Sequence, residues 1–253
     1  MRVVVVPVLS DNYAYLLIDE GTNTAAAVDP AEASIVKAKA DAEGVTITQV
    51  YTTHHHGDHA GGNAALASKI PGLKVYGGAP DNVSACTNPL NHEDTFSLGS
   101  IQVKALLTPG HTRGSITYYC TEGDAGLIFT GDTMFVGGCG RLFEGSYEDM
   151  YNSLANVIGK LPLETQVYVG HDYTVKNLEF GVAVETSNEK LAQMLEWAKE
   201  QKIERRYSVP STLRTEWAIN PFVRAGDDAF KSICPGCSPV EIFTRLRRQK
   251  DSF

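Results

Sequence analysis

The chain has 253 residues, 43% hydrophobic and 21% charged, which suits a soluble globular protein with one large domain or a medium domain and a smaller partner. Its net charge of −8 is uneven: residues 1–173 hold 9 Lys/Arg against 19 Asp/Glu, and residues 174–253 hold 13 against 11. An acidic main body argues against nucleic acid as a partner, and no apolar run approaches the roughly 20 residues that span a bilayer.

Val3–Leu9 is apolar but is broken by Pro7 and followed at once by Asp11-Asn12. Without a small-residue cleavage pattern it does not read as a targeting segment, so a cytoplasmic protein is expected. Further β-type runs follow at Tyr13–Ile18, Ala25–Val28, Ile47–Thr52, Lys74–Tyr76, Ile101–Leu107, Ser115–Cys120, Leu127–Thr130 and Gln166–Val169. Helical patterns fall between them at Ala31–Ala42, Asn63–Lys69 and Tyr147–Gly159. This alternation predicts a layered α/β domain. Beyond His171 the pattern turns helical. Asn188–Lys202 carries Leu191, Leu195 and Ala198 at helical spacing, Ser208-Val209-Pro210-Ser211 interrupts, and Pro239–Lys250 reads as a last helix. The predicted division is 1–173 and 174–253. Five scattered cysteines argue against a disulfide framework, and Cys234-Pro235-Gly236-Cys237 reads as a turn between two incidental cysteines.

Four of the seven histidines lie in His54-His55-His56-Gly57-Asp58-His59, just after the run Ile47–Thr52. A loop at the end of a strand is held rigidly by the sheet behind it. Alternation would aim residues 54, 56 and 58 one way with His59 beside them, too many ligands for one catalytic ion with an open position. Two ions are expected. Three later β-runs each end in a glycine and a metal-competent side chain: Gly110-His111, Gly131-Asp132 and Gly170-His171. His55 and His92 fit no ligand pattern.

Thr53 to Asn63, Pro109-Gly110-His111-Thr112-Arg113-Gly114-Ser115, Gly131-Asp132 and Gly170-His171 together resemble the metallo-β-lactamase superfamily. More narrowly the chain resembles glyoxalase II, the hydroxyacylglutathione hydrolases, from Val8-Leu9-Ser10-Asp11-Asn12-Tyr13 to Lys250-Asp251. The resemblance implies an α/β fold, an αββα sandwich followed by a small α-helical domain. It implies one metal on His54, His56 and His111, a second on Asp58, His59 and His171, and Asp132 bridging them. Asp58 and Asp132 would be the catalytic carboxylates, Asp58 as ligand rather than free base. The expected cofactors are two divalent ions, zinc, with iron or manganese as alternatives. The reaction implied is hydrolysis of S-(D-lactoyl)glutathione, a glutathione thioester, to glutathione and D-lactate by a water activated between the ions.

The metal site alone does not choose among lactamases, lactonases, nucleases, persulfide dioxygenases and thioester hydrolases. In glyoxalase II an Arg and a Lys that match Arg247 and Lys250 bind the glycine carboxylate of glutathione, and a tyrosine that matches Tyr173 hydrogen-bonds the same peptide. An Arg fork with an ammonium is a sound carboxylate clamp. The loop Gly138–Gly145 also resembles the substrate loop of that family, with Arg141 where relatives often carry Lys and Phe143 where they often carry Tyr. Gly57 stands where relatives are often bulky. A persulfide dioxygenase would use a single iron and leave the second ligand group idle, which the retention of His171 and the helical tail disfavours. A binding module that had lost catalysis would have no need of all seven ligand positions. The chain is expected to act as a monomer.

Overall fold

A computed structural model describes all 253 residues. The first sheet has the order β1-β2-β3-β4-β5-β6, from Arg2–Val8, Asn12–Asp19, Thr24–Val28, Thr46–Tyr51, Lys74–Gly78 and Asn88–Leu90. Strands β1 to β3 pair antiparallel and β3 to β6 parallel. The parallel half needs crossovers, supplied by α1 (Ala33–Ala42) between β3 and β4 and by α2 (Gly57–Ala60) and α3 (Asn63–Lys69) between β4 and β5.

The second sheet contains β7 (Thr95–Leu98), β8 (Ile101–Leu107), β9 (Ile116–Glu122), β10 (Ala125–Phe129), β13 (Gln166–Tyr168) and β14 (Ser211–Thr212), in the order β14-β13-β10-β9-β8-β7. A separate two-stranded hairpin, β11 (Met134–Phe135) with β12 (Gly138–Cys139), projects from the end of β10. Helix α4 (Tyr147–Asn152) continues as a π turn over Ser153–Val157 and a 3-10 turn over Ile158–Lys160.

Period-two alternation sorts β2 between two cores. Tyr13, Tyr15 and Leu17 enter the main cluster between the sheets, where Tyr51 stacks on Tyr118 at 5.1 Å and Tyr15 meets Phe129 at 5.3 Å. Ala14, Leu16 and Ile18 face outward with Val36 and Ala40 of α1 and Leu66 of α3. Each large apolar side chain so buried contributes about 1.5–3 kcal/mol.

Past residue 173 come α5 (Thr174–Val184), α6 (Glu189–Ile203), α7 (Leu213–Ile219), a 3-10 turn over Asp228–Ile233 and α8 (Pro239–Asp251). Helices α5, α6 and α7 share a small core of Leu178, Leu191, Leu195, Ala198 and Ile219. The main cluster does not stop at the sandwich. It runs on through Phe180, Phe222, Phe230, Ile242, Phe243 and Leu246. Ser238 and Glu241 form a capping box at the start of α8, with Pro239 in its first turn.

Strand β8 and helix α3 have their expected bounds, and the other expected β-runs lie within two residues of theirs. The expected helix Tyr147–Gly159 is only partly α-helical, since the chain widens at Ser153. Helices α5 and α7 and the short strands β6, β7, β11, β12 and β14 are additional to the expected elements. The Cys234–Cys237 expectation is corrected: the two are joined by a disulfide, the Pro235-Gly236 turn bringing their Cα atoms to 5.5 Å, inside the bridging range.

Candidate metal centre

The loop after β4 does not stay extended through residue 58. His59 N and Ala60 N both donate to His56 O, and the chain closes into the four-residue helix α2. Strict alternation therefore ends at His56, and the helical turn carries Asp58 and His59 toward His171 instead. The three later ligand candidates arrive from the ends of β8, β10 and β13. Gly131 has φ +48, a conformation that favours glycine, and a Cβ on Gly170 would lie 2.3 Å from Asp132 Oδ1. The packing around Asp132 thus requires glycine at both positions.

The seven side chains converge. The potential ligand atoms of His54, His56 and His111 lie within 4.8 Å of one another, as do those of His54, His59 and Asp132, and those of Asp58, His59 and His171. Asp132 lies between the groups, Oδ1 3.3 Å from His59 Nε2 and Oδ2 3.5 Å from His111 Nε2 and 3.4 Å from His171 Nε2.

Four rings are held from behind through Nδ1. His54 meets Thr53 Oγ1 at 3.0 Å, His59 meets Asp29 Oδ2 at 2.9 Å, His111 meets the Arg141 carbonyl at 2.8 Å, and His171 meets Asp11 Oδ1 at 3.0 Å. A ring that donates from Nδ1 presents a lone pair at Nε2. The Nε2 atoms of His59 and His171 are 3.2 Å apart, and two facing lone pairs call for a cation between them. His54 Nε2 and Asp132 Oδ1 are buried without a hydrogen-bond partner, an arrangement that costs free energy unless a ligand satisfies it. The donor set and these orphaned atoms fit divalent metal.

The electrostatics agree. Burial, then the neighbouring rings, keeps His54 far below the usual histidine value and so neutral. His171 is raised to about 10: burial opposes its charge, but Asp132, Asp58 and Asp11 outweigh burial. Burial would raise Asp132, yet His59 and His171 hold it well below the carboxylate range. These carboxylates demand positive charge, and a divalent ion competes with protons to supply it.

The other sequence candidates spread around this cluster. Phe143 is 65% exposed, with its ring 5.1 Å from His111 and 5.6 Å from His56. Tyr173 stacks on His171 at 4.7 Å and 7°. Arg141 is exposed, its Nε 3.7 Å from Asp251 Oδ1. Lys250 donates to Lys176 O at 2.8 Å, and burial, then Arg247, lowers it to about 8. Arg247 departs from an open clamp. It is 3% exposed, donating from Nη1 to Cys139 O at 2.8 Å and from Nε to Asp251 Oδ1 at 3.2 Å, with Nη2 2.9 Å from the same oxygen. The pull comes from the Cys139 carbonyl and the Phe222 ring 5.1 Å away.

His55 braces loops rather than joining the cluster, holding Asp81 through both N and Nδ1. His92 Nδ1 accepts from Leu107 N at 3.1 Å. Sequence reasoning missed Asp29 and Asp11 as ring supports, and Asn12, which donates to Asp58 Oδ2 at 3.1 Å. The strand-end position of Asp29 was the only available signal for it.

Residues 8–78 and 69–171 match the metallo-beta-lactamase superfamily, and residues 172–253 match the "Hydroxyacylglutathione hydrolase C-terminus". Among solved structures, ETHE1 from Myxococcus xanthus is similar at 26% identity and TM-score 0.69, covering 100% of this chain and 99% of that one. A metallo-beta-lactamase from Staphylococcus aureus gives 27% identity and TM-score 0.66, covering 94% of this chain and 68% of its own. Fold and centre define a metallo-β-lactamase-fold protein with a binuclear metal site.

The whole chain is also 46% identical to the Arabidopsis thaliana protein named "Hydroxyacylglutathione hydrolase cytoplasmic", covering 99% of it. It is 43% identical over its full length to a "Hydroxyacylglutathione hydrolase-like protein" of Gallus gallus, covering 90% of that protein. The chain belongs to the hydroxyacylglutathione hydrolase family.

Proposed function

We propose that this protein hydrolyses S-(D-lactoyl)glutathione to glutathione and D-lactate, the second step of methylglyoxal detoxification, in the cytosol and as a monomer. The observation that carries the substrate reading is a carboxylate already in place. Asp251 is gripped by Arg247 and faces Arg141, whose own carbonyl holds the His111 ring. A carboxylate-reading spot therefore adjoins the metal centre, as a glutathione thioester requires. Among the large exposed apolar side chains only Trp197 and Ile203 share an element, α6, a scatter that favours a monomer. The name of the Arabidopsis relative favours the cytosol.

In this reading His54, His56 and His111 would hold one ion and Asp58, His59 and His171 the other, with Asp132 placed to serve both. The proposed metal is zinc, and the same donors accept iron or manganese. When bound, the ions supply Lewis acidity toward a water and toward the acyl oxygen. The chain does the positioning. Asp58 and His56 are the partly open members, the Asp58 side chain 42% exposed against 1% for His59, so substrate approaches from their side while Asn12 fixes the Asp58 carboxylate. Phe143 over His56 and His111, and Tyr173 over His171, exclude water from two flanks. Burial raises Tyr173 to about 12, leaving its hydroxyl a neutral donor for the peptide. The leaving thiol has a conjugate-acid pKa of about 8.5, so departure needs no strong general acid. Residues 1–173 would carry the chemistry and residues 174–253 the reading of glutathione, with Lys250, Arg247 and Arg141 around the carboxylate.

The test is loss of thioester absorbance with purified, metal-loaded protein. Absence of turnover at millimolar lactoylglutathione would sink the proposal.

A further inference from the structure

The β11–β12 hairpin pairs with no other strand, yet it leads directly from Asp132 to Arg141. Side chains from the helical segment hold its backbone. Asn220 Nδ2 donates to Phe135 O at 3.3 Å and Gly138 O at 2.9 Å, Asn177 Nδ2 to Val136 O at 3.2 Å, and Arg247 Nη1 to Cys139 O at 2.8 Å. At the centre is Glu216, fully buried on α7 with no cation beside it. It accepts from Gly137 N at 2.9 Å and Asn220 Nδ2 at 2.9 Å through Oε2, and from Ser211 Oγ at 2.6 Å through Oε1.

A buried carboxylate without a counter-ion is costly unless its donors are fixed, and here all three are. Two residues past the hairpin, the Arg141 carbonyl accepts from His111 Nδ1 at 2.8 Å and so aims His111 Nε2 at the centre.

We propose that Glu216, with Asn220, is a positioning unit for the metal centre, fixing the hairpin that delivers the Arg141 carbonyl to His111. The assignment rests on the ligand set proposed above. It makes metal affinity depend on a buried hydrogen-bond acceptor that touches neither metal nor substrate. Lost supports of metal-binding histidines typically cost 10–100-fold in affinity.

The test is zinc titration of metal-depleted protein against a chromophoric chelator, with the visible spectrum of the cobalt-loaded protein alongside. Glu216→Leu and Asn220→Ala are expected to weaken one of two sites by roughly 10–100-fold and to shift the cobalt bands. Glu216→Gln is expected to bind as wild type, because its carbonyl can take the Gly137 and Asn220 donors while its amide donates to Ser211 Oγ. Leu195→Ala, in the small helical core, controls for general destabilisation and is expected to lower Tm without changing metal affinity. Wild-type affinity in both Glu216→Leu and Asn220→Ala overturns the proposal, as does equal weakening in Leu195→Ala. If Glu216→Leu does not fold, Asn220→Ala against Glu216→Gln decides. Wild-type protein that takes up no zinc overturns the ligand set, and this inference with it.

Discussion

The Asp251 carboxylate lies 2.9 Å from Nη2 of Arg247, one turn back along α8. In the proposed reading it occupies the cation that a substrate carboxylate would use, and in the last turn of a helix its negative charge is disfavoured by the dipole. Asp251→Asn is expected to lower KM for lactoylglutathione by roughly two- to fivefold, the scale of a partly exposed ion pair, with kcat unchanged. Steady-state kinetics at constant ionic strength checks this; a raised KM would mean that Asp251 supports the site rather than competes for it.

Lys250 gives a pH signature. Burial, then Arg247, lowers it to about 8, so the ammonium is charged below that pH and neutral above it. Affinity for an anionic substrate is therefore expected to fall, and KM to rise, as pH passes from 7 to 9.5. Lys250→Gln should start with a higher KM and lose this part of the pH dependence. A wild-type KM flat across the range would remove Lys250 from substrate reading.

Phe143 is exposed over the His111 ring, and a hydroxyl at its tip would point to open space or to substrate. Phe143→Tyr is expected to lower KM by about 2–10-fold, one hydrogen bond of 0.5–1.5 kcal/mol, and to leave kcat alone. An unchanged KM would show that glutathione passes this ring without a polar contact.

Metal content should follow the two ligand groups. His171→Ala is expected to retain about one ion per chain by elemental analysis. It should lose more activity than the roughly 10–100-fold typical when only a supporting partner is removed. Dialysis of the wild-type protein against chelator should lower Tm, since ions present at 1,000 times their Kd stabilise by about 4 kcal/mol. A variant that keeps two ions and full stability would contradict the assignment of His171.

The seven clustered side chains are readable from the chain because strand ends and glycines repeat in front of them. Asp29 and Asp11 are not, because a lone aspartate after a strand has no spacing partner and its role appears only when a ring arrives from another element. Helix α5 is hidden for a different reason. Val175, Val182 and Val184 are β-branched and Gly181 is a weak helix former, so local preference speaks against it. Packing decides instead, with Gly181 lying against Leu191 of α6. The burial of Arg247 is equally invisible, since its partner Cys139 O is 108 residues away in sequence.

The main apolar cluster passes without a break from the sandwich into Phe180, Phe222 and Phe243. The tail is therefore not a detachable cassette. A chain ended near residue 172 would bare an aromatic flank to water, and grafting this tail onto another metallo-β-lactamase scaffold would require rebuilding that flank as well. Changes of substrate in such a protein are constrained to come by substitution within the shared core and its loops rather than by exchange of whole domains.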